Sequence, residues 1–199
     1  KNIDEWIDAV RLCYTHNSRF ARILSSDWLA FLNALAFSPK CTGIVEPLTG
    51  VLEKQTSMQW VCVDGLGMIV LKEALDAARK CFSAWDVSSV CYATVSTPTE
   101  TDRFYLDITN RGYEHAFEKI NGVDELLHTE HGFVSLLAKA NGVLLAAFDG
   151  LSRKLDPSKG ILIFADHGFR MKEDGRGFTH GGPSTLERTV PVVTLSPGH

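Results

Sequence analysis

Apolar residues divide this chain into stretches with a helical rhythm and short runs of strand length. Ile3, Trp6, Ile7 and Val10 recur three and four positions apart, the spacing that lines one face of a helix. Asp27 is placed to cap a second apolar stretch, WLAFLNALAF, which stops before Pro39. Residues 1–57 are therefore expected to form a helical lead-in.

From residue 58 the rhythm alternates. QWVCV (59–63) is a short apolar run ending in Asp64-Gly65, and MIVLKEALDAARKCF after it has helical spacing. SVCYATV (89–95) repeats the strand pattern and runs into a Ser/Thr/Pro segment that carries Thr101. In GILIFADHG (160–168), apolar residues from Ile161 to Ala165 precede Asp166, as in a parallel strand buried on both faces. HGFVSLLAKANGVLLAAFDGLSRKL reads as a helix ending before Asp156-Pro157, and TVPVVTL as a further strand. Strands alternating with helices predict an α/β fold over residues 58–199, with a mostly parallel sheet flanked by helices.

Composition narrows the class. With 199 residues, 45% of them hydrophobic and 22% charged, the chain has apolar material for one substantial core of a soluble globular protein. A formal net charge of -4 means that any nucleic-acid partner must be met by a local basic patch. KNIDEWIDAV contains no uninterrupted apolar stretch, so neither a signal peptide nor a membrane span is expected there. Because the chain opens at Lys1, a piece of a longer polypeptide is expected. The cysteines, Cys13, Cys41, Cys62, Cys81 and Cys91, never form C-x-x-C and are expected as free thiols in a reducing cytoplasm. Gly65-Leu66-Gly67 begins like a dinucleotide loop, but Val70 stands where the third glycine belongs, and no Walker A sequence occurs.

The candidate chemistry lies in an ordered set: Asp64, Thr101, Asp124, His128, Asp166, His167 and His180. Ligands of open α/β sheets collect beyond the carboxyl ends of the strands, where Asp64, Asp166 and His167 fall. Asp124 and His128 are four apart, so on a helix they share a face, and His131 would share it too. Each feature has an ordinary reading as well. Asp64-Gly65 fits a turn, Asp166 a cap, Asp124 and His128 a solvated pair, and His180 before Gly181-Gly182 a surface loop. Together and in this order they fit a two-metal phosphoryl-transfer site. Arg103, Arg170, Lys172 and Arg176 are candidates for gripping phosphate, or simply solvated surface charges.

VDGLG, PTET, DELLH, ADHG and HGG, met in that order, resemble the motifs of the alkaline phosphatase superfamily. The tail THGGPSTLERTVPVVTL is similar to the closing motif of its PglZ branch. The resemblance covers residues from about 58 to 196. It implies an alkaline phosphatase-like core in which Asp64, Asp166 and His167 hold one divalent ion, and Asp124, His128 and His180 hold a second. Thr101 would be the nucleophile, with Thr99 as the alternative. A cap region is common in that superfamily between positions equivalent to Thr101 and Asp124, and the interval here is short.

Mixed carboxylate and imidazole ligands suit zinc first and manganese second, whereas magnesium prefers oxygen ligands. A threonine hydroxyl is a poor nucleophile at neutral pH and needs a base or a divalent ion beside it. The expected activity is that of a metal-dependent phosphatase or phosphodiesterase. By resemblance to PglZ-like domains it would act on a nucleotide or nucleic-acid phosphoester in bacterial or archaeal (BREX) phage defence. The alternative is a non-catalytic metal-binding module that docks partner proteins of a defence complex.

Overall fold

The computed structural model describes residues 3–20, 44–113 and 117–198. The expected helix after Asp27, and Cys41, lie outside the described residues.

Helix α1 (Ile3–Phe20) is followed by β1 (Ile44–Pro47), α2 (Leu48–Lys54) and β2 (Gln59–Val63). A single 3-10 turn (Met68–Val70) leads into α3 (Leu71–Cys81), then β3 (Trp85–Thr94), α4 (Thr101–Thr109) and β4 (Phe117–Ile120). The chain continues through α5 (Gly122–Thr129), α6 (Phe133–Ser152), β5 (Ile161–Phe164) and a two-stranded ribbon of β6 (Arg170–Met171) and β7 (Phe178–Thr179). A short helix, α7 (Thr185–Arg188), leads into β8 (Thr189–Pro197).

Among the described residues the main sheet has six strands, in the order β1-β3-β8-β5-β2-β4. Its pairings are parallel except at β8, which runs antiparallel to both β3 and β5. The fold is thus α/β with a mostly parallel, mixed sheet flanked by helices. An apolar run predicts a strand but carries no signal for its direction, so TVPVVTL is legible as a strand while its reversal is not.

The 1–57 segment departs from the helical expectation. Its residues Ile44–Pro47 form β1, which pairs with β3 at one edge of the sheet. The expected boundary near residue 57 consequently falls between two strands of one sheet. Ile3, Trp6, Ile7 and Val10 do line the buried face of α1 and belong to the same apolar core as the sheet. Two polar ties reinforce that packing. The Arg11 guanidinium grips the Glu73 carboxylate with both distances 3.0 Å, and the Met171 N–H donates to the Tyr14 hydroxyl at 3.0 Å.

Helix α6 is long and apolar enough to cross a membrane by composition alone. Here it is a core helix packed on α1, α3 and α5, with Phe133, Leu136, Ala140, Leu144 and Phe148 fully buried. Strand β4 is not legible in the sequence: FEKI sets two charged residues between two apolar ones over only four positions, without a period-two pattern, and it lies at a sheet edge.

The register of the central strands sets the functional end of the molecule. Cys62 of β2 pairs with Phe164 of β5, so two residues further on Asp64 and Asp166 leave the sheet side by side. β4 runs parallel to β2 and delivers α5 to the same edge, while β3 delivers the segment that carries Thr101. The antiparallel β8 begins at this edge, Thr189 pairing with Thr94, so the loop before it arrives there too.

Candidate metal centre

Two groups of ligand-type side chains form at this edge: Asp64, Asp166 and His167, which are buried, and Asp124, His128 and His180, which are more open. All six residues expected from the sequence are brought together.

Glycines make the approach of the loops possible. Gly65 has φ +73°, and a Cβ there would lie 3.1 Å from the Asp124 Cα. The backbone closes the gap, with the Asp64 N–H donating to the Ile120 carbonyl at 2.8 Å and the Asp124 N–H to the Asp64 carbonyl at 3.1 Å. Asp124 therefore enters the site in the first turn of α5, docked directly on Asp64.

Asp166 is held from behind. Its Oδ1 accepts the N–H groups of Gly65 and His167 at 3.1 and 3.0 Å, leaving Oδ2 for the cleft. The Thr101 hydroxyl donates to that Oδ2 at 2.8 Å and lies 3.3 Å from Asp64 Oδ1. The Thr99 hydroxyl points elsewhere, donating to the Gly182 carbonyl at 3.1 Å and accepting the Gly181 N–H at 2.9 Å. Thr99 thereby ties the PTET segment to the HGG loop, while Thr101 faces the two carboxylates. PTET spacing alone does not separate the two threonines.

Both inner histidines have one ring nitrogen fixed by a backbone carbonyl. His167 Nδ1 lies 3.1 Å from the Gly168 carbonyl oxygen, and His180 Nδ1 lies 3.3 Å from that of Thr99. A carbonyl only accepts, so Nδ1 carries the proton in each ring and Nε2 is the atom presented to the site. The Nε2 atoms flank Asp124 Oδ1 at 3.8 Å (His167) and 3.5 Å (His180), making Asp124 the bridge between the two groups. His128, one turn along α5, reaches Asp124 Oδ2 at 3.2 Å and is the most solvent-exposed member at 62%. His131 stands apart, with its Nδ1 near Gly177 at the ribbon.

Burial and charge perturb the titration of four of these groups. Burial pushes the Asp166 carboxyl up to about 6, helped by the like charge of Asp64 and opposed by His167. Burial acts on Asp64 in the same sense but is outweighed by His167 and Lys119, which hold it well below the usual carboxylate range. Burial would lower His167, yet Asp64 and Asp166 together raise it to about 9. His180 is lowered, by burial first and then by the neighbouring His167 charge. His167 Nε2 sits 3.3 Å from Asp64 Oδ1, close enough for charge attraction. Asp124 Oδ1 and His167 Nε2 are buried polar atoms without a hydrogen-bond partner among the described residues. A carboxylate oxygen and a ring nitrogen left in this way, among three carboxylates, are atoms that could hold an ion once the ring gives up its proton.

Glu187 and Lys119 support the site without having been expected from the sequence. Glu187 is 1% exposed and joins Ser184 in a capping box at the start of α7. Its carboxylate also accepts the Gly182 N–H at 3.0 Å and faces Arg170 Nε at 3.4 Å, so it fixes the HGG loop. The Ser184-x-x-Glu187 spacing is a readable signal for this role. Lys119 contacts Asp64 Oδ2 at 2.7 Å from β4, a strand the sequence pattern does not reveal. Of the four cations expected to grip phosphate, Arg170 is turned to Glu187 and Arg103 to Asp107 at 3.2 Å, while Lys172 and Arg176 are exposed on the ribbon. No protein family's sequence model matches this chain, and no curated protein matches it.

Proposed function

We propose that this protein is a metal-dependent phosphoric ester hydrolase of the alkaline phosphatase type, acting through Thr101 and two divalent ions. The observation that carries the reading is the Thr101 hydroxyl, which lies against Asp64 and Asp166, the carboxylates of one ligand group, beside a second group. Asp64, Asp166 and His167 would hold one ion; Asp124, His128 and His180 would hold the other. The orphaned Asp124 Oδ1 and His167 Nε2 support that fit. Three imidazoles among the donors favour zinc, with manganese next. When bound, a pair of such ions offsets charge on the attacking and phosphoryl oxygens.

The chain itself supplies position. Asp166 Oδ2 takes the Thr101 hydrogen bond, which leaves the oxygen lone pairs of Thr101 free for a phosphorus atom. Attack would form the Thr101 oxygen–phosphorus bond as the ester bond to the leaving oxygen breaks, the hydroxyl proton leaving through Asp166 Oδ2 and the leaving group departing as its alcohol after protonation from solvent. Water would then hydrolyse the phosphothreonine, releasing the phosphate product and regenerating the hydroxyl. The Nδ1 bonds of His167 and His180 keep both Nε2 atoms directed at the site. The ordered motifs favour a nucleotide or nucleic-acid phosphoester as substrate, within a phage-defence complex of the PglZ type.

The test is metal analysis of the purified protein together with turnover of bis-p-nitrophenyl phosphate and p-nitrophenyl phosphate in zinc, manganese and magnesium. Two ions per chain and turnover of either ester are expected. Bound metal with no turnover under any ion would replace this reading with the non-catalytic metal-binding module.

A further inference from the structure

Lys119 projects from β4 beside Cys62 of β2, on the face of the sheet that continues into Asp64. Its ammonium lies 2.7 Å from Asp64 Oδ2, while the other oxygen of that carboxylate faces the Thr101 hydroxyl at 3.3 Å. Thr101 and Lys119 thus contact the two oxygens of one carboxylate. The ring of Tyr105 lies 5.3 Å from the same ammonium. Tyr105 follows Thr101 by one turn of α4, so the helix that presents the hydroxyl also braces the lysine. The Lys119 side chain is 25% exposed, neither sealed in the core nor free in solvent.

An ammonium has three donor directions, and Asp64 is one acceptor. We propose that Lys119 is a substrate-contacting residue, whose ammonium binds a non-bridging oxygen of the phosphoryl group presented to Thr101. The inference rests on reading Thr101 as the phosphoryl acceptor. It differs from a charge-balancing role, which would need contact with Asp64 alone. Of the four cations expected from the sequence to grip phosphate, Arg103 and Arg170 are instead engaged by Asp107 and Glu187.

The experiment measures inorganic phosphate binding to zinc-loaded protein by calorimetry, with zinc content determined in parallel. Wild type, Lys119→Met, Lys119→Gln and Lys119→Arg are compared. Both neutral variants should bind phosphate at least tenfold more weakly at unchanged zinc content, and Lys119→Arg should recover most of the loss. Equal phosphate affinity in a folded neutral variant would overturn the proposal, as would loss of zinc from it, or absence of phosphate binding by wild type. Ester turnover separates this inference from the one it rests on. Lys119-dependent phosphate binding without turnover leaves Lys119 standing and removes the hydrolase. Turnover with unchanged kcat and KM in Lys119→Met does the reverse.

Discussion

The imidazole rings of His167 and His180 are stacked, with centroids 4.2 Å apart and planes 19° from parallel. They belong to different ligand groups, so the stack is where the two groups join. Two positive rings at this separation would repel each other. Asp64 and Asp166 outweigh burial at His167 and raise it to about 9, whereas burial and then the His167 charge lower His180.

Metal binding should therefore release a proton at neutral pH. At pH 7.5 a group at about 9 is almost fully protonated, and an ion must displace that proton to reach Nε2. About one proton per chain is expected from His167, against roughly 0.1 for a histidine at its ordinary value of about 6.5. Calorimetry of zinc binding in buffers of different ionisation enthalpy counts it. Because the raised group holds its proton throughout pH 7 to 8, apparent affinity should rise about tenfold per pH unit there; an affinity independent of pH would contradict the assignment.

The two threonines should fail differently. Thr101→Ala is expected to abolish ester turnover, by 10²-fold or more in order of magnitude, with the melting temperature and zinc content kept. Thr99→Ala removes a buried hydroxyl that both donates and accepts within the HGG loop. It should cost about 1–3 kcal/mol of stability and show in thermal melts. Turnover by Thr101→Ala equal to wild type would exclude it as nucleophile.

Histidine substitutions should read out in metal stoichiometry. His128→Ala and His180→Ala each remove a donor from the more open group, so zinc content after dialysis should fall from about two per chain towards one. His131→Ala should retain both ions, since its ring stands by Gly177 rather than Asp124. Mass spectrometry of dialysed protein checks all three, and zinc loss confined to His131→Ala would reverse the choice between His128 and His131.

Gly168 should tolerate no side chain. A Cβ there would lie 2.1 Å from the Leu186 carbonyl oxygen and 3.2 Å from that of Thr189, and backbone cannot swing aside as a flexible side chain can. Gly168→Ala should destabilise by about 1–3 kcal/mol or more and displace the adjacent His167, lowering zinc content. Gly142 in α6 has nothing within 4 Å of the same atom. Gly142→Ala should instead stabilise by about 0.5–1 kcal/mol through helix propensity. Differential scanning calorimetry of both variants tests the contrast.

The legible parts of this molecule are those in which one strong local signal suffices. Apolar runs ending in Asp64 and Asp166 mark β2 and β5, and four-residue spacing puts Asp124 and His128 on one face of α5. Illegible parts depend on partners distant in sequence. Strand β1 needs β3, β4 needs β2, and Lys119 matters only because β4 carries it to Asp64. Choosing between Thr99 and Thr101, or between His128 and His131, requires knowing where the HGG loop and the ribbon lie. Spacing along one segment does not contain that information.

Strand β8 is wedged between β3 and β5, and it comes from the last described stretch of sequence. As the polypeptide emerges during synthesis, β3 and β5 therefore wait for residues 189–197 before they can be joined, and Thr101 has no sheet to fasten it opposite Asp166. Assembly is governed by long-range pairing, a slow step whose unpaired edges are prone to association. Asp64, Asp124 and Asp166 lie on the contiguous β5-β2-β4 half and need no β8 to meet, whereas Thr101 comes with β3 from the other half, so β8 is the piece that closes the hydroxyl onto the carboxylates.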